Sequence, residues 1–424
     1  MMTGHGDQLF LLWAGASVIT VAVVALMYPY GFPLFSLAVG AYLLAVLAAG
    51  RELDFPVVVP FYLLLALLLI SIVLTPGSYA RPMNDAINGV GVAALLVLLN
   101  TSVRGPLDLA RLQEAAAWLV WVTGVGIGLL GLWKMHLLSE GVVLERFVAP
   151  DGTYRIGTSL RKDYNFYALG QILTLVAAWH LVRDGKRLIF SILAVVSMPV
   201  MVANVVLSGS RRGVVVLIAL VVVWALVRTW SLMRQLSASW QRRKQAGGLG
   251  VLSTGAGLLA MIIAAVVVWR VTVASAGVET VRVVALRLST LQELGAVAGT
   301  RTGLWGFGLD ELQHYSLAEL LLGGGFAYLG TYATHFSPEV AEFTPHNMIL
   351  AALLSGGVVT LATLLWLLGR AGARYMLNWN ALPMFGVFFL LCTPFALTSL
   401  HLLFSFQLLL ILTVIPLLPR LTQP

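Results

Sequence analysis

Arg211 and Arg212 sit where arginine is expensive. They lie in Ser208-Gly209-Ser210-Arg211-Arg212-Gly213, a turn between two apolar runs, each about as long as a bilayer-spanning helix. A cation in or beside a span faces a partner or a polar cavity, and no carboxylate stands near this pair in sequence. A planar guanidinium fork matches phosphate oxygens. Ser208 and Ser210 offer extra donors, and the amides that open the next helix would add to an anion site. Arg161, in Ser159-Leu160-Arg161-Lys162-Asp163-Tyr164-Asn165, opens a helix just outside a span, where snorkelling is the plain alternative. Arg301 and Trp305 are four apart in Gly299-Thr300-Arg301-Thr302-Gly303-Leu304-Trp305, so they share a helix face and could stack.

His346 supplies a different chemistry. In Thr344-Pro345-His346-Asn347-Met348 the proline favours an extended residue before a helix start, which places His346 in the first turn of a span. A histidine that titrates near neutrality is the usual general base for a hydroxyl. Glu339 and Glu342, a few residues upstream, could orient it or share the task. His314 and His335 read as ordinary loop residues, and Arg146, Arg155, Arg282 and Arg287 as partners of loop acids or lipid headgroups. There is no D-x-D pair in the loops, no G-x-S-x-G and no P-loop. A divalent metal wants carboxylate oxygens, so metal-dependent chemistry is disfavoured and no cofactor is expected.

The elements that must position these residues are membrane helices. The chain is 59% hydrophobic and 10% charged, against about 25% charged in soluble domains. Its apolar runs are continuous and not alternating, which excludes a barrel. The net charge of +8 reflects positive loops beside a membrane and not a nucleic-acid partner. Cys392 is the one cysteine, so no intrachain disulfide forms and a Cys/His zinc site is disfavoured.

Runs of roughly 17–25 residues number about twelve, near 9–28, 32–49, 56–74, 86–100, 116–133, 164–182, 188–207, 213–230, 250–273, 346–368, 381–399 and 401–418. The first reads as a retained helix and not a cleaved signal. Short loops dense in Arg and Lys, such as Arg183–Arg187 and Ser231–Leu249, set the termini on the cytoplasmic side. Arg81, Lys134, Arg146, Arg155, Arg161, Lys162, Arg211, Arg212, Arg270, Arg282, Arg287 and Arg301 then fall on the opposite side, all arginine except two. The chain divides into nine helices over 1–273, one long outer loop over 274–345, and three helices over 346–424. Within the loop, Val281, Val284, Leu288 and Leu291 repeat at helical spacing, as in a surface helix. Leu317–Tyr332 is apolar but broken by Gly323-Gly324-Gly325, too interrupted for a span.

In order and in sidedness, the Ser-Gly-Ser-Arg-Arg-Gly turn, Arg301-x-x-x-Trp305, Gly323–Gly325 and Pro345-His346-Asn347 resemble the O-antigen ligase and polymerase family of bacterial envelope proteins, most clearly over about 155–368. The resemblance implies an all-α, GT-C-like integral protein of the bacterial inner membrane, with its active site on the periplasmic side. It implies an inverting, metal-independent glycosyltransferase of lipopolysaccharide biosynthesis. The donor would be a glycan on undecaprenyl pyrophosphate and the acceptor a sugar hydroxyl of lipid A–core. Arg161, Arg301 and Arg211 or Arg212 would bind the pyrophosphate. His346 would be the base, with Ser210, Trp305, Glu339 and Asn347 in support. An O-antigen polymerase or a protein O-oligosaccharyltransferase would share this layout. A transporter of lipid-linked sugars is the reading from another class, although no inverted repeat is visible.

Overall fold

The computed structural model describes residues 4–28, 31–75, 77, 79–148, 155, 157–161, 163–183, 188–222, 292–379, 381–399 and 406–418. The runs at 223–230 and 250–273, the surface helix at 281–291, and Lys162, Arg270, Arg282 and Arg287 lie outside them. Within them the fold is helical and contains no strand. The helices are α1 (Gly4–Met27), α2 (Gly31–Ala48), α3 (Val59–Leu74), α4 (Ala80–Ser102), α5 (Pro106–Ser139), α6 (Tyr164–Arg183) and α7 (Leu188–Leu207). They continue with α8, described over 211–222, then α9 (Gln292–Gln313), α10 (Leu317–Leu322), α11 (Tyr328–Phe336), α12 (Met348–Leu377), α13 (Pro383–Ser399) and α14 (Gln407–Val414).

Among the described residues six helices are long and apolar enough to cross a membrane: Gly6–Met27, Ala80–Ser102, Pro106–Leu138, Tyr164–Arg183, Ile189–Leu207 and Met348–Leu377. Shorter apolar helices accompany them at Leu34–Ala48, Val59–Leu74, Pro383–Thr398 and Gln407–Leu417. This is the make-up of an integral membrane α-protein. Two helices outrun their apolar runs. α4 begins at Ala80 and not near 86, and α5 covers 106–139 and not 116–133, because polar residues extend a helix that leaves the apolar layer.

The chain forms two compact units. The first holds residues 1–25, 30–119 and 291–424; the second holds 26–29 and 120–290. In the first, the Leu317–Tyr332 stretch becomes α10 and α11 around a glycine turn that presses on a break in α12. Gly357 interrupts α12 with φ 64° and ψ −166°, and Gly323 ends α10 with φ 87° and ψ 158°. Both conformations belong to glycine almost alone. The break frees carbonyls that water cannot reach in lipid. Four donors take them: Gly324 N–H and the Tyr315 hydroxyl reach Leu354 O at 3.0 and 3.2 Å, and Gly325 N–H and the Ser71 hydroxyl reach Ser355 O at 3.1 and 3.3 Å. Thr75 Oγ1 then accepts from Phe326 N–H at 2.8 Å.

The second unit packs α5, α6 and α7 through small residues. Apolar side chains gain little by leaving lipid for one another, so helices in membranes associate by close contact and buried polar bonds. A Cβ on Gly124 would strike the Thr174 side chain at 2.0 Å, and one on Gly131 would meet the Tyr167 hydroxyl at 2.4 Å and Thr158 O at 2.6 Å. Into that space Tyr167 donates to Asn204 Oδ1 at 2.7 Å, and Asn204 Nδ2 donates to Val200 O at 2.8 Å.

Candidate functional site

In the second unit two helix beginnings are fastened together. Ser210 is the residue before α8. Its hydroxyl accepts from Gly213 N–H at 2.9 Å and donates to Asn165 Oδ1, in the first turn of α6, at 2.8 Å. This bond joins the turn that carries Arg211 and Arg212 to the segment that carries Arg161. Gly213 permits the approach, since a Cβ there would lie 2.5 Å from Ala168 Cβ. Gly209, at φ 74°, turns the chain. Arg211 and Arg212 occupy the first two positions of α8 and are half-buried.

The hydroxyls do not play the part the sequence suggested. Ser208 donates to Val205 O at 2.7 Å and accepts from Ser210 N–H at 3.2 Å. Both serines are wholly buried, Ser208 committed within the turn and Ser210 to Gly213 and Asn165. Arg161 does not open α6 either. The helix starts at Tyr164 and is capped by Asp163, whose Oδ1 accepts from Asn165 and Phe166 N–H at 2.9 and 3.4 Å. A carboxylate at a helix N-terminus is favoured by the helix dipole. Arg161 lies in the preceding bend, its guanidinium 5.4 Å from the centre of the Phe166 ring. Burial lowers the affinity of this guanidinium for its proton; Asp163 opposes the shift and Arg155 adds to it. An arginine starts so high that it keeps its charge.

Lys134, on α5, organises the same segment. It has no exposed surface. Its Nζ donates to three backbone carbonyls, Arg155 O at 2.6 Å, Gly157 O at 2.9 Å and Ser159 O at 2.7 Å. Phe147 lies beneath, its ring centre 5.6 Å from Lys134 Nζ, 5.1 Å from the Arg146 guanidinium and 6.0 Å from that of Arg155.

In the first unit His346 lies one residue before the cap of α12, not in its first turn. Asn347 is the cap, and its Oδ1 accepts from Ile349 and Leu350 N–H at 3.0 and 3.2 Å. His346 has φ 51°, the one positive φ of a non-glycine residue among those described. A left-handed histidine is strained and marks a place where structure has been held against local preference. Its half-buried ring meets Phe343 edge-on at 5.7 Å. Aromatic contacts continue from Phe343 to Phe336 at 6.3 Å and from Phe336 to Phe307 on α9 at 5.3 Å. His335, expected to be an ordinary loop residue, stacks on Phe307 at 4.6 Å.

The other residues expected near His346 fare differently. The Glu342 carboxylate is spent on α4, where it accepts from Ala80 N–H and from Arg81 N–H at 3.1 Å and stands 3.8 Å from Arg81 Nε. Glu339 is exposed. Arg301 and Trp305 are half-buried on α9, but no ring contact joins them among the described residues. The Trp305 indole N–H is buried and has no hydrogen-bond partner there. Nor do the described residues gather three or more His, Cys, Asp or Glu that could hold a metal.

The chain matches no protein-family model, no curated protein and no solved structure. Its function is therefore argued from the residues above. Within the second unit the Ser210–Asn165 bond links the turn of Arg211 and Arg212 to the segment that carries Arg161. His346, Asn347, Glu339, Arg301 and Trp305 belong to the first unit. Sequence reasoning missed Lys134 and Asn165 as the residues that hold the arginine segments. The signal for Lys134 was present, a lone ammonium at the end of an apolar run. Asn165 had no such mark.

Proposed function

We propose that this membrane protein is a glycosyltransferase that moves a glycan from undecaprenyl pyrophosphate to a sugar hydroxyl of lipid A–core, as an O-antigen ligase of the bacterial inner membrane does. The observation that carries the proposal is the Ser210–Asn165 bond, which fastens the Arg211–Arg212 turn to the segment bearing Arg161. Three guanidinium groups so tethered suit a pyrophosphate, the leaving group of a polyprenyl-linked sugar. Held in place before reaction, they would stabilise the charge that develops as the anomeric C–O bond breaks.

His346 is assigned the acceptor. Its imidazole would take the proton of the acceptor hydroxyl as that oxygen attacks the anomeric carbon from the side opposite the pyrophosphate. The new glycosidic bond forms with inverted configuration, and undecaprenyl pyrophosphate leaves with the electron pair of the broken bond. Base catalysis of this kind supplies about 10²–10⁴-fold.

The test is transfer by the purified protein in liposomes, given carrier-linked glycan and either lipid A–core or carrier-linked repeat as acceptor. Glycan appearing on lipid A–core is the expected result. Extension of the carrier-linked repeat alone would make the protein a polymerase. A His346→Ala variant should fold and lose transfer. Retention of full activity by that variant, or a product with retained configuration, would overturn the mechanism.

A further inference from the structure

We infer that Lys134 is the positioning residue of the arginine segment: it makes no contact with the anion, but its ammonium holds the backbone carbonyls of Arg155, Gly157 and Ser159 and thereby sets Arg161. This rests on the proposed pyrophosphate role of Arg161. Three observations carry it. First, an ammonium has three protons, and all three of Lys134 go to backbone carbonyls, those of Arg155, Gly157 and Ser159, within 2.9 Å. None is left for a phosphate, so a reading of Lys134 as one more surface cation does not hold. Second, the carbonyls belong to alternate residues, which bends this short stretch around one point. Thr158, between two of them, is tied outward, its N–H donating to Leu207 O at 3.2 Å and its hydroxyl to Asn204 O at 3.1 Å. Arg155 N–H donates to Phe147 O at 3.1 Å. Third, the bend leads straight to the arginine. The Ser159 hydroxyl donates to Arg161 O at 2.8 Å and accepts from Arg161 N–H at 3.3 Å.

A buried cation is costly, and exchanging one for an apolar residue is often neutral for stability. Here the exchange would orphan three carbonyls that now share one donor group. With three of its carbonyls released, the stretch would loosen, and Arg161 with it, although the Arg155 guanidinium still donates to Leu160 O. Misplacing a binding group by about 1 Å costs about 10²-fold.

Lys134→Met keeps length and removes the donors; Lys134→Arg keeps the charge but offers a planar fork that cannot copy the ammonium. Each is compared with wild type in liposomes for transfer kinetics, for binding of undecaprenyl pyrophosphate, and for amide hydrogen exchange over 155–163. Lys134→Met should cut kcat/KM for the donor by about 10²-fold, leave KM for the acceptor unchanged, weaken undecaprenyl pyrophosphate binding, and speed exchange over 157–161. Lys134→Arg should recover part of each. If Lys134→Met fails to fold, Lys134→Arg carries the test, and equal donor KM with unchanged exchange overturns the inference. Donor KM unchanged in the folded fraction of either variant also overturns it, because the lysine would then serve stability alone. Faster exchange in Lys134→Met, combined with a wild type that neither transfers nor binds undecaprenyl pyrophosphate, would confirm the anchor and sink the pyrophosphate role instead.

Discussion

Gly323→Ala should be among the most damaging small substitutions in this protein. Gly323 has φ 87° and ψ 158°, a region that costs a non-glycine residue about 1–3 kcal/mol. Its new Cβ would stand 2.2 Å from Ser355 O and 2.4 Å from Gly356 N. These are backbone atoms, so no rotamer change can clear them, and overpacking of this kind costs about 1–3 kcal/mol more. Moving the glycine turn outward would also stretch the bonds from Gly324 and Gly325 to the freed carbonyls of α12, at about 1 kcal/mol net for each one lost. With both bonds lost, these give a loss of roughly 4–8 kcal/mol. The assay is reversible unfolding in mixed micelles by added denaturing detergent, read by far-UV circular dichroism. Gly306→Ala is the control, since a Cβ there meets nothing within 4 Å and alanine favours a helix interior by up to about 1 kcal/mol. If the two variants unfold within about 0.5 kcal/mol of each other, the glycine junction does not hold α12.

His346→Gly should unfold about 1 kcal/mol later than wild type, because it relieves a left-handed residue, while losing transfer; a gain in stability without loss of activity would contradict the role of the imidazole. Glu342→Gln should speed hydrogen exchange at Ala80 and Arg81, whose amides the carboxylate accepts, and cost about 1 kcal/mol as a lost helix cap does. Glu319 is held below its ordinary value of 4.5 by hydrogen bonds from the Ser316 hydroxyl and N–H. A depressed carboxyl stabilises fully above 4.5 and loses that contribution as pH falls through the lowered value, so exchange of the α10 amides should rise on acidification below 4.5 in wild type and be flat in Glu319→Gln, which has no carboxylate to titrate. Gly131→Ala should break the seat of Tyr167 and Thr158 against α5 and cost about 1–3 kcal/mol, measured in the same micelle assay.

The helical class was legible because continuous apolar runs admit nothing else in lipid. Eleven of the fourteen described helices lie on a run visible in the sequence, whereas α9, α10 and α11 fall in the stretch read as one long loop. The boundaries slipped where polar ends continued a helix, as at Ala80 and Pro106. Leu317–Tyr332 showed its glycine interruption but not its purpose. That purpose depends on a second break, at Gly357 in Ser355-Gly356-Gly357, which sits inside an apolar run long enough to be read as one unbroken helix. Only contact between the two shows that one glycine turn supplies donors to the carbonyls freed by the other.

The candidate site was legible in its charges and illegible in its supports, and the difference is physical. An arginine pair at a span edge is an anomaly in one dimension, because its cost is local. A support is defined by what it touches. Glu342 looked like a partner for His346, four residues away, yet it caps α4, more than two hundred residues distant in sequence. Ser210 looked like a ligand donor, yet it spends its proton on Asn165. Both errors treat neighbours in sequence as partners, whereas a buried polar group must be satisfied by whatever the fold brings to it. The same demand makes Lys134 informative: three protons meet three backbone carbonyls, so this buried ammonium is satisfied by the very segment it holds.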